Sequence, residues 1–208
     1  MLLFVNTFTR LEAMLIMLTG GIIFGALDFL RLTIPSLNKF TLKMMGSLMR
    51  DGEHHKPSAQ LYYIFGLTWA IVALPRPIAV QAILTLAWMD PIAAIFGVSF
   101  GRIRWNSVLR TSVSLGAKTV EGSLAGFLAA FLAGIIAWTG PWAAIPMDGR
   151  VWWPDPSIVL ILSLTGGFVS FLAEAWPSQW DDNVNIPFWT GIAVWIAAAL
   201  TGTPMRFL

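Results

Sequence analysis

Six apolar runs, most of them about long enough to cross a bilayer, decide what this chain can fold into. The first covers residues 11–30 (LEAMLIMLTGGIIFGALDFL), with Glu12 and Asp28 near its two ends. A helix needs roughly 20 residues to cross the hydrocarbon core. In lipid the backbone must satisfy its own hydrogen bonds, so a run of this kind predicts a spanning helix. The other runs lie at about residues 59–74, 78–100, 121–138, 157–175 and 186–200. Composition excludes the alternatives: the 208 residues are 57% hydrophobic and only 12% charged, against about 45–50% and about 25% in soluble domains. Disorder and a coiled coil are excluded by the same figures, and the absence of cysteine excludes a disulfide scaffold. The first run has one preceding Arg10 and no small-residue cleavage site, so it reads as a span rather than a signal peptide.

Between the first two runs, residues 36–50 (SLNKFTLKMMGSLMR) set Leu37, Phe40, Met44, Met45 and Leu48 at helical spacing, with Lys39 and Lys43 off that stripe. That pattern predicts an amphipathic helix lying on the headgroups. The expected architecture is all-α: a polytopic membrane protein of about six transmembrane helices plus a cytoplasmic interfacial amphipathic helix. Residues 1–208 are expected to form a single integral-membrane domain.

Six spans put loops 31–58, 101–120 and 176–185 on one face. They hold Arg31, Lys39, Lys43, Arg50, Lys56, Arg102, Arg104, Arg110 and Lys118, nine of the thirteen Lys and Arg. The positive-inside rule makes that face cytoplasmic, in a cell inner membrane or its equivalent, with both termini outside. A net charge of +2 gives no pointer to nucleic acid. Trp138, Trp142, Trp152 and Trp153 are expected at the outer interface, Trp176 and Trp180 at the inner one. Gly21 and Gly25, and Gly122, Gly126, Ala130 and Gly134, recur every four residues, which lets helices approach closely in lipid. Packing within the monomer is the first use of such a stripe and a homodimer seam the second.

Acids are expensive near hydrocarbon, so their placement is informative. Asp90 sits in an otherwise apolar run, and Pro91 after it is expected to break the helix and free carbonyls. Gly97, Gly101, Arg102, Arg104, Arg110, Ser114, Lys118, Thr119 and Glu121 crowd the basic loop, a composition suited to cradling phosphate. Ala117 precedes the lysine and no glycine-rich turn leads into it, so this is not a nucleotide P-loop. Glu174, Asp181, Asp182 and Asn183 lie beneath the fifth run, a donor set suited to Mg²⁺ with phosphate oxygens. His54 and His55 lack a third ligand for zinc and read as a solvated loop. No metalloprotease or serine-hydrolase pattern occurs.

Met89-Asp90-Pro91 through Gly97, Phe100-Gly101-Arg102, and Ser114-x-x-x-Lys118-Thr119-x-Glu121-Gly122-Ser123 together resemble the CTP-using lipid enzymes. Phosphatidate cytidylyltransferase and the dolichol, phytol and CTP-dependent diacylglycerol kinases are of this type. The shared block spans about residues 85–130. Glu174-Ala175, Asp182-Asn183-x-x-Ile186-Pro187 and Asp28-x-x-Arg31 are similar to the kinases' elements. The cytidylyltransferases' lysine-aspartate, His-Gly-Gly and Asp-Arg-x-Asp elements do not occur.

The resemblance implies a lipid kinase that moves the γ-phosphate of CTP to a lipid alcohol of the inner leaflet, diacylglycerol first. A polyprenol, dolichol or phytol acceptor comes second. It implies Asp90, Glu121 and Asp182 as holders of Mg²⁺ or of the reacting hydroxyl. Lys118, Arg102 and Arg31 would neutralise the triphosphate, and Asn183 would add a polar contact. Asp90, the deepest acid, is the expected proton acceptor. The competing readings are a cytidylyltransferase making CDP-diacylglycerol and a small ion-coupled transporter built around Asp90.

Overall fold

The computed structural model of the protein describes residues 9–46, 49, 54–109, 118–147, 150–176 and 180–205. Arg50, Arg110, Ser114 and Leu48 therefore lie outside the described residues. The helices are α1 (Arg10–Thr33), α2 (Pro35–Met45), α3 (Ala59–Ala73), α4 (Arg76–Phe100), the short α5 (Trp105–Leu109), α6 (Val120–Thr139), α7 (Pro156–Ala175) and α8 (Asp182–Leu200). Between α6 and α7 a 3-10 turn (Pro141–Ala143) leads into an antiparallel hairpin, β1 (Ile145–Met147) with β2 (Arg150–Trp152). The expected Trp- and Pro-rich loop thus contains a 3-10 turn and a short hairpin at one end of the bundle.

Helices α1, α4, α6, α7 and α8 are long and apolar enough to cross a membrane. The protein is an all-α polytopic membrane protein. Helix α3 fills the second apolar run but has only 15 residues, about 22 Å of rise, short of a full hydrocarbon core. It ends at the Pro75 turn. Helix α4 is central, packed on α6 and α8, while α1 sits at the edge mainly against α3.

The small-residue stripe of α6 is consumed inside the monomer. A methyl group on Gly122 would stand 2.6 Å from the Ala93 carbonyl oxygen, and one on Gly126 3.1 Å from Met89 Cγ, both on α4. On Gly134 it would stand 2.8 Å from Ser163 Cα of α7. Gly21 and Gly25 likewise meet Ile64 and Leu61 of α3.

Three expectations need correction. Pro91 lies inside α4, which runs unbroken from Arg76 to Phe100. Proline removes one donor, and in a packed membrane helix neighbouring turns absorb that loss. Helix α8 starts at Asp182, four residues before the expected start, because Asp181 caps it by accepting from the Asn183 amide. Pro187 leaves the Asn183 carbonyl without its helical donor, and Gly66 of α3 packs directly against that carbonyl. Finally, Trp138 is fully buried and Trp142 nearly so, rather than both lying at an interface. Trp153, Trp176 and Trp180 are exposed as interfacial rings should be.

Burial of Trp138 depends on a partner for its indole N–H. Nε1 donates to Gln81 Oε1 at 2.6 Å, and Gln81 Nε2 donates to the Leu162 carbonyl at 3.0 Å. One buried glutamine on α4 thereby ties α6 to α7. Gln81→Leu is expected to cost about 1–3 kcal/mol by orphaning the indole N–H, seen as a lower melting temperature in detergent. Unchanged melting would show that the tie carries no stability.

Candidate functional site

Three helix ends converge at the end of the bundle opposite the hairpin: the start of α6, the end of α7 and the start of α8. Each has a local reason to end there. Thr119 caps α6 by accepting from the Gly122 amide at 3.2 Å, and Asp181 caps α8. The last carbonyls of α7 have no donor within the helix, and the site supplies them. Asn185 Nδ2 donates to the Ala173 carbonyl at 3.2 Å, and Lys118 Nζ donates to the Glu174 carbonyl at 2.6 Å. A cation at a helix C-terminus is favoured by the backbone dipoles as well.

Lys118 also forms an ion pair with Asp182, its Nζ 2.8 Å from Oδ2 and 3.0 Å from Oδ1. Both side chains are about a quarter exposed, so the pair faces an opening rather than the core. Beneath it Glu174 is buried, 6% exposed. It accepts from the Ser123 hydroxyl, which in turn accepts from Trp105 Nε1 at 2.9 Å. Trp105 is fixed edge-on against Phe171 of α7, with ring centroids 5.8 Å apart. Half-buried Asp90 lies within electrostatic reach of Glu174, as do Lys118 and Asp182. The structure therefore brings together Asp90, Lys118, Glu174 and Asp182, from positions spread over more than 90 residues of chain.

The other sequence-derived residues have different surroundings. Glu121 accepts the Arg102 amide at 3.0 Å and the Ile103 amide at 3.2 Å, which ties the loop after α4 to the first turn of α6. Arg102 is exposed, with its charge near Glu121.

The backbone phosphate cradle expected there is not formed by the described residues. The Gly101 amide donates to the Gly97 carbonyl, Val120 to Ile103, and Gly122 and Ser123 to Thr119. Gly97 and Gly101 instead admit Thr119 against α4: a methyl on Gly97 would stand 3.1 Å from its Oγ1. Ser114 lies outside the described residues.

Arg31 is 4% exposed and paired with Asp28, Nη2 to Oδ1 at 2.7 Å. Asn183 Nδ2 donates to Asp181 Oδ1 at 2.7 Å and to the Ala59 carbonyl at 3.4 Å. Trp105 and Asn185 carry no motif and could not have been chosen from the sequence. Their partners lie 18 and 12 residues away and come from other elements.

A lysine and an aspartate at a helix-end opening, with the Glu174 and Asp90 carboxylates behind them, suit a polyanion that arrives with a divalent cation. Among the described residues no group of three or more histidine and acidic side chains forms a closed metal cage. Mg²⁺ takes only one or two carboxylates beside waters and substrate phosphates, and Asp182, at the opening, is placed to supply one.

Two curated proteins are similar to the chain. The chain is 30% identical over 173 residues to CTP-dependent diacylglycerol kinase 1 of Eremothecium gossypii, a match covering 80% of this chain and 52% of that protein. It is 28% identical over 166 residues to the protein of the same name from Schizosaccharomyces pombe, covering 77% and 69%. This chain is similar over most of its length to both proteins of that name. It spans about half the length of the first of these relatives. No family model matches the chain, and no solved structure does. Both matches are too long to be confined to the block at 85–130, so the relationship extends over most of this bundle.

Proposed function

We propose that the protein is a CTP-dependent diacylglycerol kinase, with its site on the cytoplasmic face of the membrane. The observation that carries this reading is the Lys118–Asp182 pair beside Glu174 and Asp90, in a chain related over most of its length to proteins named for that activity. The excess of Lys and Arg in loops at the same end of the bundle supports the cytoplasmic placement, where CTP is available.

Phosphoryl transfer asks for in-line positioning and charge neutralisation more than for covalent chemistry. Lys118 would meet the triphosphate as a point charge. Asp182, released from Lys118 by that exchange, would hold the Mg²⁺ carried by the nucleotide, which supplies further charge neutralisation at the phosphates. Asp90 would face the lipid hydroxyl. That oxygen forms the new bond to the γ-phosphorus, the bond from the γ-phosphorus to its bridging oxygen breaks, and CDP leaves. The hydroxyl proton passes to Asp90. Glu121 ties the adjoining loop, and the exposed Arg102 would approach the nucleotide from the open side.

Labelled CTP tests the reading with purified protein, diacylglycerol and Mg²⁺. Label in the γ-position is expected in phosphatidate, and label in the α-position is expected to stay out of lipid. Lipid carrying the α-label would identify a cytidylyltransferase instead. No γ-label on any lipid alcohol would end the kinase reading. Asp90→Asn is expected to remove the γ-transfer while leaving folded protein, and a native rate in that variant would take Asp90 out of the site.

A further inference from the structure

Helix α2 begins where the first membrane span stops. Ile34 is at once the C-cap of α1 and the N-cap of α2, so a single residue separates a bilayer-crossing helix from an 11-residue surface helix. That link fixes the depth of α2 at the headgroups.

Its two faces differ. Leu37, Asn38, Thr41 and Leu42 are half-buried toward the protein. Asn38 is tied there on both sides of its amide, accepting from Arg31 Nη1 at 3.4 Å and donating to the His54 carbonyl at 3.1 Å. The opposite face presents Phe40 and Met44, 61% and 67% exposed, one turn apart. Beside them, also one turn apart and exposed, are Lys39 and Lys43. Among the described residues neither lysine has an acidic partner. The outward face is thus not the purely apolar stripe expected from spacing. Leu37 turns inward, and the lysines lie beside Phe40 and Met44, while Met45, also exposed, ends the helix.

We propose that this face of α2 is a binding surface for anionic phospholipid. Phe40 and Met44 enter the acyl boundary, and Lys39 and Lys43 lie along it and extend their ammonium groups to lipid phosphates. Water would leave the two apolar side chains exposed, and hydrocarbon would strand the two charges. Only the interface of the bilayer that α1 crosses accommodates both. Charge complementarity selects anionic over neutral headgroups, because paired lysines near such a surface respond to its negative potential. The inward ties of Asn38 hold the helix in one rotation, so the surface is preformed.

The chain contains no cysteine, which makes single-site labelling clean. Phe40→Cys and, separately, Met44→Cys carry a nitroxide in the full-length protein. The protein is reconstituted in vesicles of phosphatidylcholine alone, or of phosphatidylcholine with phosphatidylglycerol. Collision with oxygen against an aqueous nickel chelate reports the depth of the label. In the anionic vesicles both labels are expected at headgroup depth. Lys39→Glu with Lys43→Glu should shift the label toward water, by roughly fivefold in the immersed-to-exposed ratio for each lysine.

Added salt should do the same with the native lysines in place, a measurement that needs no charge-reversed protein. Labels equally open to water in both lipids would overturn the proposal. So would labels equally immersed in both and unmoved by salt and by charge reversal, since the apolar pair alone would then anchor the helix. No activity is read, so the result stands apart from the kinase reading.

Discussion

Lys118→Ala is expected to lower γ-phosphate transfer from CTP by about a hundredfold to a thousandfold, the loss typical when one preorganised charge-stabilising group is removed. Labelled transfer to diacylglycerol, measured beside the melting temperature, checks it. Lys118 joins three elements, because it precedes the α6 cap, donates to the α7 carbonyl of Glu174 and pairs with Asp182 of α8. Alanine therefore also leaves Asp182 without its cation, and stability falls along with activity. Lys118→Arg separates the two effects. It keeps a cation at the opening, so melting should stay near native, but a planar fork cannot occupy the place of a compact ammonium held 2.6 Å from one partner and 2.8 Å from another. Most of the transfer rate should still be lost. A Lys118→Ala protein that transfers phosphate at the native rate would remove Lys118 from the chemistry.

Which residues could be read from sequence follows from the solvent. In lipid a span must be apolar over nearly its whole length, and so α1, α4, α6, α7 and α8 were visible as runs. Their ends were less visible, because caps such as Asp181 are local chemistry that hydropathy ignores. Single-residue inferences failed where a distant partner changes the meaning of a residue. Trp138 looked interfacial until Gln81, 57 positions away, supplied an acceptor. Asp90-Pro91 looked like a helix break, but the packed bundle carries α4 through it. Asp90, Lys118 and Asp182 were legible because charges are scarce in this chain and few placements suit them. The link from Trp105 through Ser123 to Glu174 was not, since an indole, a hydroxyl and an acid 18 and 51 residues apart carry no spacing rule.

Arg31 shows how resemblance and geometry can be tested against each other. Resemblance to the lipid kinases sets it against the triphosphate, yet its guanidinium is committed elsewhere. Nε and Nη2 both donate to Asp28 Oδ1, Nη2 also to the Lys56 carbonyl, and Nη1 to Asn38. Asp28 uses its other oxygen to accept the Ser58 amide at 2.9 Å, which leads directly into α3. The pair is a staple that fastens the α2–α3 connection to the end of α1. Arg31→Ala is expected to destabilise the protein by about 3–5 kcal/mol, because a buried carboxylate is left without its cation. Asp28→Asn together with Arg31→Gln replaces the two charges by a neutral amide pair and should recover much of that loss. If Arg31 is a staple, the double variant keeps a KM for CTP within about twofold of native, since no interaction with the nucleotide has been removed. A double variant that melts like the native protein yet needs far more CTP would return Arg31 to the triphosphate, and with it move the nucleotide toward the α1 end of the bundle.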